Sequence, residues 1–148
     1  METEWIILAD HAEVINNKLY LMGGGWETLT VNQEMPFTHP LAVAVSFSVP
    51  WNETNQQHDI EVELADQDGN TRAKIEAQVE VGRPPGIPLG HAQRVPLALS
   101  LPLTFDKLGT YVVTSRVEGQ VSRTSRFNVV EGPGLAMLRA QHQSGGSE

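Results

Sequence analysis

Apolar and polar residues alternate with a period of two along most of the chain, the signature of strands half-buried on one face of a sheet. Leu41, Val43, Val45, Phe47 and Val49 share one face, with Ala42, Ala44, Ser46 and Ser48 on the other. Val95, Leu97, Leu99, Leu101 and Leu103 repeat the pattern against Pro96, Ala98, Ser100 and Pro102. Ile60, Val62 and Leu64 followed by Ile75, Ala77 and Val79 predict a hairpin about Asp66-Gln67-Asp68-Gly69-Asn70, because Asp-Gly supplies the left-handed geometry a tight turn needs.

Further strands are predicted at Trp5–Ala9, at Asp10–Ile15 and Lys18–Met22 around a turn at Asn16-Asn17, and at Trp26–Val31 after the break of Gly23-Gly24-Gly25. Tyr111–Val117 and Val121–Val129 form a last hairpin about Glu118-Gly119. Short strands punctuated by Gly, Pro and Asn point to an all-β fold rather than alternating strands and helices. Gly109, two residues before Tyr111 at the start of an apolar strand, matches a tyrosine corner, in which the hydroxyl bonds to backbone a few residues upstream. The expected architecture is therefore a single Ig-like or fibronectin-like β-sandwich over residues 1–130. Residues 131–148, Gly/Pro-rich at the start and ending Gln-Ser-Gly-Gly-Ser-Glu, are expected to be a flexible tail with one helical turn at Leu135–Arg139.

A chain of 148 residues is long enough for one core without staples. It has no cysteine, which removes disulfides and thiolate metal sites and leans to a reducing compartment. The acidic start Met1-Glu2-Thr3-Glu4 does not look like a signal peptide, and no stretch is apolar enough to span a bilayer as a helix, so a cytoplasmic protein without a membrane partner is expected. A formal net charge of −8 with ten Lys and Arg argues against nucleic-acid binding.

Chemistry-bearing patterns are sparse. Asp66–Asn70 has the alternating oxygens of a calcium loop, but Ala77 stands where the bidentate Glu belongs, so a hairpin turn explains it. His11, His39, His58, His91 and His142 show no close metal-ligand spacing, and no nucleophile elbow or phosphate loop occurs. No enzyme, cofactor or metal site is expected. Glu61, Glu63, Glu76 and Glu80 form an acidic stripe on the middle hairpin, read as a solvated face or a docking surface, whereas Arg116, Arg123 and Arg126 lie on the last hairpin. That segregation suggests contact between unlike patches of two copies.

The strongest functional candidate is the connection Gly82-Arg83-Pro84-Pro85-Gly86-Ile87-Pro88-Leu89-Gly90. Prolines restrict the free loop, Ile87 and Leu89 give it an apolar tip, and Arg83 offers a planar donor fork for a carboxylate or carbonyls. Arg83, Pro84, Pro85, Ile87 and Leu89 are the candidate protein-binding residues; the competing reading is a lid that buries Ile87 and Leu89 on its own domain. The Ala42/Ala44/Ser46/Ser48 and Pro96/Ala98/Ser100 faces are read as solvent-facing, with a second protomer or a covering loop as alternatives. Trp51 and Trp26, near strand ends, are the alternative site, a small-ligand or carbohydrate platform.

Leu-Ala-Asp-His-Ala-Glu-Val at 8–14, Lys-Leu-Tyr-Leu-Met-Gly-Gly-Gly-Trp at 18–26, the Asp66–Gly69 turn, Val-Gly-Arg-Pro-Pro-Gly at 81–86 and Gly-Thr-Tyr at 109–111 occur in one order. Over residues 5–130 the chain resembles a widespread bacterial family of small uncharacterised β-sandwich proteins. The resemblance implies an Ig-like sandwich in a cytosolic bacterial protein and transfers no catalytic or binding residue. Together these readings favour a non-enzymatic protein-interaction module that binds a protein partner or itself.

Overall fold

The computed structural model describes residues 1–145. Among the described residues nine strands form two sheets. One sheet has the order β2-β1-β4-β7, built from β1 (Glu2–Ile15), β2 (Lys18–Gly24), β4 (Phe37–Val49) and β7 (Gln93–Phe105). The other has the order β3-β9-β8-β5-β6, built from β3 (Thr28–Val31), β5 (Gln57–Asp66), β6 (Thr71–Glu80), β8 (Gly109–Val117) and β9 (Gln120–Glu131). Every pairing is antiparallel except β3 with β9.

The predicted turns form for the predicted reasons. Asn16 and Asn17 both adopt positive φ, 51° and 61°, as a two-residue hairpin with the twist of its strands requires. Glu118 and Gly119 repeat this between β8 and β9, with φ of 51° and 76°.

The apolar faces of both sheets meet in one core that includes Leu41, Val43, Val45, Phe47, Ile60, Val62, Leu64, Val113 and Val129. At one end Phe105 and Phe127 meet Tyr111, edge-on and stacked, with centroids 5.0 and 5.5 Å from its ring. The Tyr111 hydroxyl donates to the carbonyl of Lys107 at 2.6 Å, so the upstream backbone bond expected of this tyrosine is present.

Three expectations need correction. The small-residue face of β4 is not open to solvent, since Ala42, Ala44 and Ser46 are fully buried. β1 pairs with β4 only as far as Ala9; beyond it the chain continues with β2 as a two-stranded arm. The arm folds back across the sheet, so that β2 approaches β7 although the two stand at opposite ends of the strand order. Ala9, Ala12, Ala42 and Ala44 form a second buried cluster with Leu19, Leu21, Trp5, Ile7 and Ala98 against it. Small side chains are what let one layer of backbone lie close on another, and the covering-loop alternative is the one realised.

The stretch after residue 130 is helical well beyond a single turn: α1 spans Pro133–Gly145. Pro133 suits the first helical position, and the Asn32 carboxamide oxygen accepts the Gly134 N–H at 2.9 Å, capping the helix from a distant loop. Leu135 is buried in the core. Residues 146–148 of the expected tail lie outside the described residues.

The third correction concerns charge. β5 pairs with both β6 and β8, so Arg116 stands beside the acidic stripe rather than apart from it. Its guanidinium reaches Glu61 at 2.7 Å and Glu63 at 3.3 Å, while Lys74 bridges Glu61 and Glu76 at 2.9 and 3.1 Å.

Candidate functional site

The connection from β6 to β7 is tied down at its base and open at its tip. Val81 accepts the Asn55 N–H through its carbonyl at 2.7 Å, and the Gln93 side-chain amide donates to the Gly82 carbonyl at 2.6 Å. Arg83 completes the anchor against the 3₁₀ turn Trp51–Glu53. Its Nε–H donates to Thr54 Oγ1 at 2.6 Å, its terminal nitrogen donates to the Trp51 carbonyl at 2.8 Å, and its guanidinium carbon lies 4.2 Å from the Trp51 ring centroid. Thr54 is itself buried and donates its hydroxyl to the same Trp51 carbonyl at 2.7 Å. A planar fork that bonds along its edge and stacks on its face uses the two properties that set arginine apart from lysine.

Beyond Arg83 the chain makes two turns. Ile87 N–H donates to the Pro84 carbonyl at 3.4 Å and His91 N–H to the Pro88 carbonyl at 3.2 Å. Gly86 and Gly90 take φ of 93° and 81°, where a side chain would be strained. Pro84, Pro85 and Pro88 are exposed, Ile87 is half-buried and Leu89 is 84% exposed. The lid reading therefore fails at Leu89, which stands out from the domain instead of packing on it.

The structure brings the five candidate residues into one loop but spends Arg83 internally. The fork expected to meet a partner's carboxylate holds Thr54 and Trp51 instead. Trp51 is accordingly no bare platform, because Arg83 covers one face of its indole. Trp26 packs against the core, edge-on to Phe127 with centroids 5.8 Å apart. On sequence alone Trp51 and Arg83 belong to rival sites, and Thr54 carries no signal. Trp51 at a strand end and a lone loop cation stand far apart in the chain, with no local pattern joining them.

The Asp66 turn shows why its oxygens are not waiting for a metal. Asp66 Oδ1 accepts the N–H groups of Asp68 and Asn70 at 2.9 and 3.0 Å, and Lys107 lies 3.2 Å from Asp66 and 2.7 Å from Asp68. Burial of the carboxyl favours its neutral form, but the Asn70 amide, the Lys107 ammonium and the Asp68 amide outweigh this and hold its pKa at about 2. The histidines are dispersed. His58 is buried between the Glu118 carboxylate at 3.2 Å and the Glu53 carbonyl at 2.7 Å, whereas His11 and His142 lie in surface pairs with Glu13 and Glu34. Among the described residues no three His, Asp or Glu side chains are grouped to hold a metal ion.

A model described as "Family of unknown function (DUF6941)" matches residues 4–130. Among curated proteins none matches. Similar solved structures include a glycosyl hydrolase family 2 member from Bacteroides cellulosilyticus, at 15% identity and TM-score 0.41, over 65% of this chain and 13% of that one. The alkylpurine DNA glycosylase AlkC of Pseudomonas fluorescens, solved on DNA with an abasic site analog, matches at 10% identity and TM-score 0.39, over 84% and 30%. A β-glucosidase from Listeria innocua, in complex with gluconolactone, matches at 12% identity and TM-score 0.44, over 86% and 16%. The chain spans less than a third of each of these proteins.

Proposed function

The chain belongs to DUF6941, a family of unknown function, and we propose that it is a non-enzymatic protein-interaction module whose recognition element is the loop Gly82–Gly90. The observation that carries this reading is the contrast within the loop: Arg83 is clamped to Thr54 and Trp51 at the base, while Leu89 is 84% exposed at the tip. Holding an apolar side chain out in water on a restrained backbone costs stability in the free protein and lowers the entropy lost on association. Ile87, Pro88 and Leu89 supply the apolar centre of the contact, and Arg83 acts as a positioning residue.

The partner surface that fits this tip is a hydrophobic pocket on another protein, since a flat polar surface would leave Leu89 half-wet. The two-sheet fold is read as an Ig-like sandwich in a cytoplasmic bacterial protein, a reading supported by the Tyr111 corner and the cysteine-free composition. Among the described residues no helix is long and apolar enough to cross a membrane.

A photo-crosslinking residue in place of Leu89 tests the proposal in cells. One discrete adduct is expected, and it should vanish when Ile87→Asp is added to the same chain. No adduct from the loop, in a protein that still gives the β-sheet circular dichroism of wild type, would refute it.

A further inference from the structure

The chain carries three lysines, Lys18, Lys74 and Lys107, and its amines are not equivalent. Lys74 lies 2.9 Å from Glu61 and 3.1 Å from Glu76, so its ammonium is shared between two carboxylates. Lys107 is held in the same way, 3.2 Å from Asp66 and 2.7 Å from Asp68. The amino group of Met1 is paired with the Glu53 carboxylate. Among the described residues Lys18 alone of these amines has no carboxylate partner.

The place of Lys18 follows from the hairpin. Asn16 and Asn17 take positive φ to make a two-residue turn, and Lys18 closes that turn opposite Ile15. The arm packs Leu19 and Leu21 on the small-residue face of the sheet, and alternation turns Lys18, Tyr20 and Met22 the other way, into solvent. The backbone under the amine is fixed by a paired turn while the amine itself is exposed.

Acyl transfer selects between such amines, because only the neutral form has the lone pair that attacks. Glu61 and Glu76 hold the Lys74 ammonium above the ordinary lysine range, and Asp68 and Asp66 do the same for Lys107. Each of those amines must also leave two carboxylates before it can reach an acyl carbon. Lys18 has no carboxylate to leave.

We propose that Lys18 is the acylation site of this chain, taking the acyl group of a small activated donor, a thioester or an acyl phosphate. Nζ gives one proton to solvent and forms an N–C bond to the acyl carbon. The bond from that carbon to sulfur, or to the phosphate oxygen, breaks, and thiolate or phosphate departs with the electron pair. A second proton passes from nitrogen to solvent or to the departing group, so the product is a neutral amide. β2 thereby loses its single charge, beside Ile15, Tyr20 and Met22, which are 50%, 54% and 69% exposed. The modification is a charge switch on the arm, independent of what the loop Gly82–Gly90 binds.

The test treats full-length protein, in separate arms, with limiting acetyl phosphate and with a neutral acetyl thioester, and follows each lysine by peptide mass spectrometry. In each arm Lys18 should be acetylated at least about fivefold faster than Lys74 or Lys107, since each competitor is held by two ion pairs. The arm with the faster Lys18 rate identifies the donor class. In denaturing urea the three rates should converge, because the pairs that the fold imposes are gone. Glu61→Gln with Glu76→Gln should bring Lys74 towards the Lys18 rate, at an unchanged circular dichroism spectrum. Native electrophoresis should show one added negative charge on the treated wild type and none on Lys18→Arg at the same dose. Lys74 or Lys107 labelled as fast as Lys18 in the folded protein would overturn the proposal. So would a Lys74 rate that the double glutamine variant leaves unchanged, which would show that ion pairing does not set the selectivity.

Discussion

Tyr111 donates its hydroxyl hydrogen to the Lys107 carbonyl at 2.6 Å, and the ammonium of the same Lys107 lies 3.2 Å from Asp66. One lysine thus joins the tyrosine corner, through its backbone, to the β5–β6 turn, through its side chain. Arg72 strengthens the junction by pairing with Asp106 and approaching Asp66 at 3.5 Å. The end of the core where Phe105, Phe127 and Tyr111 pack is therefore closed by a polar network and not by apolar contact alone.

Replacing Tyr111 with Phe keeps the ring and removes the donor, leaving the Lys107 carbonyl without that partner. A loss of about 1 kcal/mol is expected, the net worth of a typical hydrogen bond, because this one is only partly buried. Urea unfolding should show a lower midpoint at an unchanged slope. Leu89 crosslinking should be unaffected, because the loop is held at Trp51 and Thr54 and not at this junction.

Asp66 makes stability depend on acid. Its folded pKa, about 2, lies below the unfolded value of about 3.9, so the folded state binds its proton less readily. The stabilisation is fully present above about pH 4 and drains away as pH falls towards about 2. Asp66→Asn should flatten the urea midpoint against pH in that window. It should not abolish the acid dependence, since Glu4, Glu61 and Asp106 are also held below their ordinary values by Arg94, by Lys74 and Arg116, and by Arg72.

Helix α1 docks through two glycines. A Cβ on Gly132 would stand 2.2 Å from Asn32 Oδ1 and 2.6 Å from Thr30 Cγ2, and one on Gly134 would stand 2.9 Å from Asn32 Cβ. Gly132→Ala should displace Asn32, uncap the helix and release Leu135 from the core, at a cost of about 2 kcal/mol for the lost burial. Trypsin cleavage after Arg139 should become faster, while the β-sheet spectrum is retained.

Local patterns told which residues face the core and where the chain turns, because both are written within a few positions of one another. The alternation at Leu41–Val49 and the turns at Asn16-Asn17, Asp66–Asn70 and Glu118-Gly119 were all legible in this way. What covers the second face of β4 was not, since alternation separates two faces without saying what lies on either. Ala42 and Ala44 are small because an arm lies on them. The extent of α1 was hidden for a similar reason: Gly-Pro-Gly reads as a break, and the cap that starts the helix comes from Asn32, 102 positions away from the amide it accepts. The loop Gly82–Gly90 was visible by composition, but the partners of Arg83 lie 29 and 32 positions upstream, beyond any local rule.

Arg83→Lys should behave as a loss and not as a conservative change. An ammonium cannot bond Thr54 and the Trp51 carbonyl from one plane while stacking on the indole. Crosslinking through Leu89 should fall in that variant, and Trp51 fluorescence should report a wetter indole.

The central claim is that Arg83 holds the loop in one shape with Leu89 displayed, and backbone ¹⁵N relaxation measures this most directly. In the wild type, the amides of Gly86, Ile87, Leu89 and Gly90 should have order parameters close to the rigid value of about 0.85. In Arg83→Ala they should drop below about 0.6, with β4 and β8 unchanged. Loop amides already below about 0.6 in the wild type, or equally ordered in both proteins, would contradict the account.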